Sequence, residues 1–197
     1  MTDAIRQYFE AHAPTWDDRM PADIGTVLRE FAAPLALVLS SARRILEIGT
    51  GTAAFVPVLR EYAPDARLVS MDLAYAMLQG AQRRCPAECF MQANVHHLPA
   101  AAGSFDLVVC HNSFPHFADK PQALREIGRV LGSGGQLVIL HNNSREFINR
   151  IHMQAGAPID HDFLPPGETM AQWMVAVGFH GVHVDDLPTH FIARGRV

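Results

Sequence analysis

The sequence has few cysteines and no sign of a secretion signal. Only 3 cysteines occur in 197 residues, and residues 1–10 lack the basic-then-apolar order of a signal peptide. A disulfide framework is therefore not expected, and we interpret the cysteines as reduced. Cys85 and Cys89 are poorly spaced for half of a zinc site, and no second half follows. No metal is predicted.

Excess positive charge and long apolar runs are also lacking. Lys and Arg number 16 against 20 for Asp and Glu, a formal net charge of -4, and no basic run occurs. A nucleic-acid partner is therefore not expected. No apolar stretch approaches the roughly 20 residues that cross a bilayer, so we expect no membrane partner and a cytoplasmic location. Two domains would each be small, which favours one domain with a single substantial core.

Short β-branched runs alternate with segments of helical periodicity, a pattern typical of α/β proteins with a mostly parallel sheet. Strands are predicted at residues 44–48, 67–72, 88–93, 105–110, 136–141, 181–185 and 190–194. The link at 186–189 is too short for a crossover helix, so the last two strands should be antiparallel. Helices are predicted at 55–62, 75–84, 121–131, 145–154 and 169–177, with further helix before the first strand.

The strongest local signal is the run RILEIGTGTAAF, from Arg44 to Phe55. It predicts an apolar strand, a glycine turn and a helix. Gly49 permits the sharp turn, and Gly51 lets a ligand approach the backbone because no Cβ stands in the way. The run also satisfies the looser dinucleotide pattern G-x-G-x-x-A. The glycines alone therefore leave the ligand open, and a tight turn without a ligand is the structural alternative.

Two carboxylates narrow the choice of ligand. Glu47, at the end of the first strand, would repel the pyrophosphate of a dinucleotide bound at the following helix, but would attract the positive amino and sulfonium groups of S-adenosylmethionine. Asp72 ends the second strand and can accept hydrogen bonds from both ribose hydroxyls of an adenosine. The alternatives are that Glu47 caps amides of the turn and that Asp72 caps the next helix.

Together with these residues, four further segments resemble the class I, Rossmann-like S-adenosylmethionine-dependent methyltransferases. The likeness is to the small bacterial type related to ubiquinone and menaquinone biosynthesis enzymes, and the segments are residues 9–17, 92–99, 104–109 and 124–135. The resemblance covers nearly the whole chain. It implies a three-layer sandwich, a mostly parallel seven-stranded sheet with an antiparallel last strand, S-adenosylmethionine as cofactor, and methyl transfer to a small molecule.

The resemblance also assigns roles along the chain. It implies one domain over residues 1–197, with a helical lid segment at 1–43, a cofactor-binding core at 44–141, and acceptor-side helices with the last two strands at 142–197. The implied cofactor-binding residues are Glu47, Gly49, Thr50 and Gly51 at the methionine end, Asp72 and Leu73 at the ribose, Asn94 and Val95 at the adenine, and His111 above the methyl group.

The chain departs from the family pattern at two positions. Ala53 replaces a usual third glycine, and Asn94 replaces a usual aspartate. We expect the methyl group of Ala53 to narrow the approach of the cofactor. We expect the side-chain oxygen of Asn94 to pair with the adenine amino group. Together these changes predict weaker binding of the cofactor rather than its loss.

The candidate catalytic residues are His111 and His116. Both follow the fourth strand, at the carboxyl edge where open α/β sheets bind ligands. A base is needed only if the acceptor must lose a proton. The alternative is that both are loop histidines with satisfied hydrogen bonds.

An acceptor pocket is predicted beyond these histidines. Residues 143–146 read as a capping box, which starts a helix near Ser144 and puts Arg145, Asn149 and His152 on one face. That face meets either solvent or a ligand, and we favour an anionic or planar polar acceptor held by Arg145. The predicted substrate-binding residues are Phe114, His116, His141, Arg145, Asn149 and His152.

Three functions are compatible with these features: a methyltransferase, a nicotinamide-dependent oxidoreductase, and a protein that binds S-adenosylmethionine without catalysis. The charge of Glu47 and the antiparallel last strands argue against the oxidoreductase.

Overall fold

The computed structural model describes residues 2–197, which form a seven-stranded sheet covered by helices. The strands are β1 (Arg44–Ile48), β2 (Arg67–Asp72), β3 (Cys89–Gln92), β4 (Phe105–His111), β5 (Leu131–His141), β6 (His180–Asp186) and β7 (Phe191–Arg196). Their order is β3-β2-β1-β4-β5-β7-β6. Only β7 runs antiparallel to its neighbours, β5 and β6. The predicted fold class, with its antiparallel last strand, is confirmed.

Eight α-helices are found in residues 2–197. They are α1 (Thr2–His12), α2 (Ile24–Ala32), α3 (Ala36–Ser41), α4 (Val56–Tyr62), α5 (Tyr75–Arg84), α6 (Lys120–Val130), α7 (Arg145–Ala155) and α8 (Gly167–Ala176). The cap of α7 differs from the predicted box by one residue, because the side chain of Ser144, not that of Asn143, accepts a hydrogen bond from the amide of Phe147.

Apolar residues of the central strands alternate between two core clusters. Leu46 and Ile48 of β1 belong to one cluster, whereas Ile45 belongs to the other. In β5, Leu137 lies in the first cluster and Val138 in the second. Side chains on both faces of the sheet are therefore buried, which explains the continuous apolar runs of these strands and gives the predicted three layers.

Strand β5 begins five residues before its predicted start at Gln136. Leu131 pairs with Phe105 of β4, and regular pairing resumes where Gln136 lies opposite Leu107. The register shifts between these two points. Gly134, with a φ of +75°, supplies part of the irregular backbone. The glycine-rich residues that follow α6 therefore form the first part of a strand.

The segment before β1 is helical, as predicted, and contains an apolar stretch. Residues Ile24–Ser41 form an 18-residue stretch with a mean hydropathy of 1.3. By length and composition alone, this stretch is long and apolar enough to cross a membrane. This corrects the expectation that no stretch approaches that length. Helices of folded cores pass the same test, and 22% of this stretch is buried. Its buried side chains, including Leu28 and Leu39, pack into the second core cluster.

The strand order places a crevice at the carboxyl edge of the sheet. Strands β2 and β3 extend the sheet on one side of β1, whereas β4 and the later strands extend it on the other side. The strand order therefore reverses between β1 and β4. In open α/β sheets, ligands bind at such a switch point, outside the carboxyl ends of the strands. The turns that follow β1, β2, β4 and β5 all emerge at this edge.

Candidate functional site

A cavity of about 550 Å³ lies at this carboxyl edge, a size common among small-molecule sites. One side consists of the turns after β1 and β2, and another consists of the amino-terminal segment, including Phe9 and Trp16. The third side consists of the loop after β4 together with α7 and the loop that follows α7, represented by His116, His152 and Ile159. We call the first the cofactor side and the third the acceptor side.

The glycine turn is fastened to the neighbouring strand. The amides of Gly49 and Thr50 both donate to the carbonyl of Met71, at 2.8 and 2.9 Å. Gly49 has a φ of +75°, and a Cβ there would lie 2.3 Å from the Cβ of Ser113. Gly51 also has a positive φ, of +55°, but its nearest neighbour would be Nε1 of Trp16 at 3.9 Å. Gly49 is thus required by packing, whereas Gly51 leaves open a cradle that a Cβ would partly fill.

Ala53 does not narrow this cradle. Its φ is +64°, and its methyl group is fully buried in the second core cluster, outside the cavity lining. The expectation that it restricts the approach of a ligand is therefore wrong. The alanine instead strains the backbone, because a non-glycine residue in this left-handed conformation costs about 1–2 kcal/mol.

Asp72 fastens the turns after β1 and β2 and does not cap α5. Its Oδ1 accepts from the amide of Ala74 at 2.9 Å, beside the start of α5, and its Oδ2 accepts from the amide of Gly51 at 2.8 Å. Burial raises the pKa of the carboxyl, and these backbone hydrogen bonds oppose the shift. A carboxylate has about four acceptor positions, so Asp72, which lines the cavity, retains acceptor capacity toward a ligand.

Glu47 lies behind the turn rather than in the cavity wall. Its Oε2 accepts from Oγ1 of Thr50 at 2.7 Å, and the side chain is 1% exposed. Burial raises its pKa to about 6, although the hydrogen bond from Thr50 lowers it. At pH 7 the carboxylate is mostly ionised. Glu47 therefore places a negative charge behind the turn without contacting the cavity.

Asn94 presents a donor, contrary to the expected acceptor. Its Oδ1 accepts from the amide of His96 at 2.9 Å and from Nδ1 of the same histidine at 2.7 Å. The ring must carry its proton on Nδ1, because Nε2 of His96 accepts from the amide of Asp119 at 3.0 Å. Both lone pairs of the Asn94 oxygen are thus occupied. Its amide NH₂ remains for a ligand, beside Leu73 and Val95 in the cavity lining.

His111 brings an unpartnered nitrogen to the site. The ring lines the cavity and stacks on Phe55, with centroids 4.7 Å apart. Its Nε2 is buried and has no hydrogen-bond partner in residues 2–197. Burial lowers its pKa to about 4, so the ring is neutral at pH 7. Other atoms of the ring therefore line the cavity, while this nitrogen is covered, as are Nε2 of His141 and Oγ of Ser70.

On the acceptor side, His116 and His152 line the cavity as predicted. Nδ1 of His116 lies 2.8 Å from Oδ2 of Asp162. The His116 ring also packs edge-on against Phe9 of the amino-terminal segment. Burial lowers the pKa of His152, the neighbouring imidazole.

Four predicted substrate-binding residues are placed elsewhere. Phe114 is fully buried and packs edge-on against Phe117, and His141 is 1% exposed at the end of β5. Arg145 forms ion pairs with Asp186 at 2.8 Å and with its neighbour Glu146. Phe114, His141 and Arg145 do not line the cavity. The proposed site therefore does not include them.

The fourth is Asn149, whose amide group bonds both the carbonyl and the amide of Leu164, at 3.0 and 2.8 Å. The reason is the rotation of α7 about its axis. Ile151, His152 and Ala155 line the cavity, so His152 is the only residue of the predicted face that does so. The guanidinium of Arg145 is therefore not available to hold an acceptor.

Several asparagines of the lining were not predicted. Asn112 and Asn142 follow β4 and β5, and Nδ2 of Asn112 donates to Oδ1 of Asn142 at 2.7 Å. Asn143 also lines the cavity. A signal was present in the sequence, because the dipeptide His-Asn occurs at the ends of both adjacent strands, at residues 111–112 and 141–142.

The amino-terminal segment is tied over the cavity by two carboxylates. Glu10 accepts from the amides of Tyr75 and Ala76, at 2.7 and 2.8 Å, and so caps α5. Asp17 accepts from Oγ1 of Thr52 and pairs with Arg84 at 2.6 Å. Both ties are to elements that carry the cofactor side.

The donors and acceptors of the lining fit an adenosyl sulfonium compound. Asp72, the open turn at Gly51, the Asn94 amide and His111 all line the same cavity. In residues 2–197, no group of three or more His, Cys, Asp or Glu is arranged to hold a metal ion.

Comparisons with known proteins agree with this fit. A family profile described as a methyltransferase domain matches residues 46–139. A demethylmenaquinone methyltransferase of Deinococcus radiodurans is 36% identical over 144 residues, covering 70% of this chain and 59% of that protein. A malonyl-[acyl-carrier protein] O-methyltransferase of Legionella pneumophila is 31% identical over 142 residues, covering 68% of this chain and 48% of that protein.

The fold agrees as well. The crystal structure of an S-adenosylmethionine-dependent methyltransferase from Aquifex aeolicus superposes with a TM-score of 0.69 at 15% identity, covering 94% of this chain and 97% of that one. The chain spans less than two thirds of the length of the two curated relatives. The matched segment contains β1, the glycine turn, Asp72 and β4. Residues 46–139 are therefore a methyltransferase domain, and the chain is similar in sequence and fold to the class I, Rossmann-like S-adenosylmethionine-dependent methyltransferases, whose cofactor is S-adenosylmethionine.

Proposed function

We propose that this protein transfers a methyl group from S-adenosylmethionine to a small-molecule acceptor. The observation that carries the proposal is the pairing of Asp72 with Gly51, in which a buried carboxylate holds open a glycine turn and keeps acceptors free toward the cavity. Such a carboxylate at the end of the second strand suits the two hydroxyls of a ribose. The cofactor-binding core is accordingly residues 44–141.

Each end of the cofactor has a complementary group. The adenine lies against Leu73 and Val95 and receives a hydrogen bond from the NH₂ of Asn94. The methionine end lies against Thr50 and the Gly49–Gly51 turn, where the buried charge of Glu47 attracts its amino group. We expect the pair of carboxylates, Glu47 and Asp72, to disfavour the pyrophosphate of a dinucleotide.

The chemistry needs little from the protein beyond alignment. The sulfonium supplies the leaving group when the cofactor is bound. Residues of the acceptor side hold the acceptor in line with the methyl group and exclude water, effects worth roughly 7–11 kcal/mol in well-oriented systems. His111 and His116 are the side chains proposed to meet the acceptor, and His152 completes that wall.

Residues 1–43 are proposed to act as a lid. Phe9 and Trp16 line the cavity, and the ties through Glu10 and Asp17 must open if the cofactor is to enter past them. Addition of S-adenosylhomocysteine should therefore change the fluorescence of Trp16 or slow hydrogen exchange in residues 8–16. An unchanged spectrum together with unchanged exchange would count against a lid.

The acceptor is proposed to be a small molecule, without nucleic acid or membrane as partner and in the cytoplasm. The two relatives described above are named for different acceptors, a demethylmenaquinone and a malonyl group on a carrier protein. Incubation of cell extract with radiolabelled methyl donor, followed by identification of the labelled product, would find the acceptor directly.

The cofactor half of the proposal is tested by calorimetry with S-adenosylmethionine, S-adenosylhomocysteine and NAD. We expect micromolar binding of the first two and none of the third. Asp72→Ala should weaken binding more than tenfold, because hydrogen bonds to a charged group are worth about 1.5–3 kcal/mol each. Asp65→Ala, an exposed carboxylate on the loop before β2, is the matched control. Unchanged affinity in folded Asp72→Ala, or preference for NAD, would refute the proposal.

A further inference from the structure

The lining of the cavity contains a single basic side chain that is always charged. Among the residues that the structure describes, Arg19 is the only Arg or Lys in the lining. Arg19 is exposed, and no carboxylate in residues 2–197 forms an ion pair with it. Asp17, two residues away, pairs with Arg84 instead. The guanidinium of Arg19 is therefore free to pair with an anionic group of a ligand.

A tight helical turn places Arg19 beside Trp16. Residues Asp17–Arg19 form one turn of 3-10 helix, and the amide of Arg19 donates to the carbonyl of Trp16 at 3.2 Å. Side chains three residues apart lie on the same side of such a turn. The guanidinium carbon of Arg19 accordingly lies over the Trp16 ring, 5.5 Å from its centroid. A cation at this distance is attracted to the face of an indole, so the Trp16 ring helps to position Arg19.

Trp16 in turn lies next to the glycine turn of the cofactor side. The position that a Cβ on Gly51 would occupy is 3.9 Å from Nε1 of Trp16. In the same turn, Oγ1 of Thr52 donates a hydrogen bond to Asp17. These two contacts hold the Asp17–Arg19 turn at the end of the cavity that is proposed to take the methionine part of the cofactor.

The charges of the cofactor side leave the methionine carboxylate without a partner. Glu47 and Asp72 are both carboxylates, which attract the amino and sulfonium groups of S-adenosylmethionine but repel its carboxylate. A guanidinium balances that repulsion, and its planar fork of donors matches the two oxygens of a carboxylate. Arg19 is the lining residue that offers such a group.

We propose that Arg19 binds the carboxylate at the methionine end of S-adenosylmethionine and so makes the site specific for a cofactor that carries this group. This inference rests on the proposed function. Because Arg19 belongs to the segment proposed as a lid, its ion pair with the cofactor forms only when that segment lies over the site. A ligand with the carboxylate therefore favours the closed segment more than a ligand without it.

Two ligands that differ in this one group isolate the contact. S-adenosylhomocysteine has the carboxylate, whereas its decarboxylated analogue, S-adenosyl-3-thiopropylamine, keeps the adenosine, the sulfur and the amino group. Calorimetry should find that the wild type prefers S-adenosylhomocysteine. In Arg19→Gln, affinity for S-adenosylhomocysteine should fall about tenfold, the usual worth of one charged hydrogen bond, whereas affinity for the analogue should not change. The preference should therefore shrink by the same factor.

Two further variants control for charge and for geometry. Arg6→Gln removes the same charge from α1, at a side chain that lies 3.6 Å from Asp3 and outside the cavity lining. It should leave both affinities at wild-type values. Arg19→Lys keeps the charge but not the planar fork, so it should restore part of the preference that Arg19→Gln loses.

Hydrogen exchange provides a second readout that needs no turnover. In the wild type, S-adenosylhomocysteine should slow amide exchange in residues 8–19 more than the decarboxylated analogue does. In Arg19→Gln, the two ligands should slow it equally. Equal protection by both ligands in the wild type would contradict the proposed ion pair.

The outcomes separate a failure of this inference from a failure of the proposed function. If the wild type binds neither ligand, the proposed function fails and the inference fails with it. If the wild type binds S-adenosylhomocysteine but Arg19→Gln keeps the wild-type preference, only the role of Arg19 is wrong. An equal loss of affinity for both ligands in Arg19→Gln would also overturn that role, because it would show that Arg19 supports the packing of Trp16 and does not contact the carboxylate.

Discussion

The two sides of the cavity are built by different means. On the cofactor side, backbone amides of Gly49, Thr50 and Gly51 bond to the neighbouring strand or to the side chain at its end. On the acceptor side, the wall is held by side chains, with Asp162 bonded to His116 and Asn149 bonded to the backbone at Leu164. A short strand–turn motif therefore specifies the cofactor side, whereas contacts between distant residues specify the acceptor side. Such a division allows one cofactor site to serve different acceptors.

The largest expected effect separates the packing role of a glycine from its role toward the cofactor. Gly49→Ala would place a Cβ 2.3 Å from that of Ser113 at a φ of +75°. Overpacking and left-handed strain together should lower the free energy of unfolding by about 2–5 kcal/mol. Gly51→Ala has open space around its Cβ and should lose only about 1–2 kcal/mol, but bind S-adenosylmethionine more weakly.

Urea denaturation and calorimetry on both variants check this contrast. If the two alanine variants unfold at the same urea concentration, the packing role assigned to Gly49 is wrong.

Glu47→Gln tests whether the cofactor side keeps a costly charge for its ligand. Because burial raises the folded pKa from 4.5 to about 6, the ionised form destabilises the fold. The neutral form of Glu47 contributes fully to the free energy of unfolding below pH 4.5, and this contribution is lost as the pH rises through 6. At pH 8 the free energy of unfolding of the variant should therefore exceed that of the wild type by about 2 kcal/mol, which is the energy equivalent of this pKa change. The variant should also bind S-adenosylmethionine more weakly.

The difference should disappear at pH 4, where both side chains are neutral. Urea denaturation at the two pH values is the measurement. Equal stability of variant and wild type at pH 8 would show that the charge of Glu47 costs nothing.

Arg145→Ala sharpens the boundary of the acceptor side. Its guanidinium pairs with Asp186, whose carboxylate also accepts from the amide of Gly167 at 3.0 Å. The substitution should cost about 1–2 kcal/mol of stability through lost charged hydrogen bonds. Cofactor affinity, and methyl transfer to the acceptor identified by extract labelling, should stay at wild-type values. Transfer lost from a stably folded variant would return Arg145 to the acceptor pocket.

The sequence predicts the cofactor side well because its determinants are local. The bounds of β1, β2 and α5 agree with their predicted residues, since apolar strands, a glycine turn and a helix follow one another without a gap. The acceptor side is predicted less well. The rotation of α7, which turns Ile151 toward the cavity and Arg145 toward Asp186, depends on packing against residues far along the chain.

Two errors on the cofactor side have the same origin. The burial of Ala53 and the hydrogen bonds to the Asn94 oxygen both depend on tertiary contacts, which cannot be predicted from the identities of these two residues. Ala53 packs into the core beneath the turn, and the Asn94 oxygen is taken by His96, whose own proton position depends on Asp119.

A crystal structure of the protein with S-adenosylhomocysteine would test the central claim most directly. We expect the ribose hydroxyls within hydrogen-bond distance of Asp72, the adenine between Leu73 and Val95, and the sulfur directed toward His111 and His116. A ligand bound outside this cavity, or bound with its adenine at the acceptor side, would contradict the assignment of the two sides.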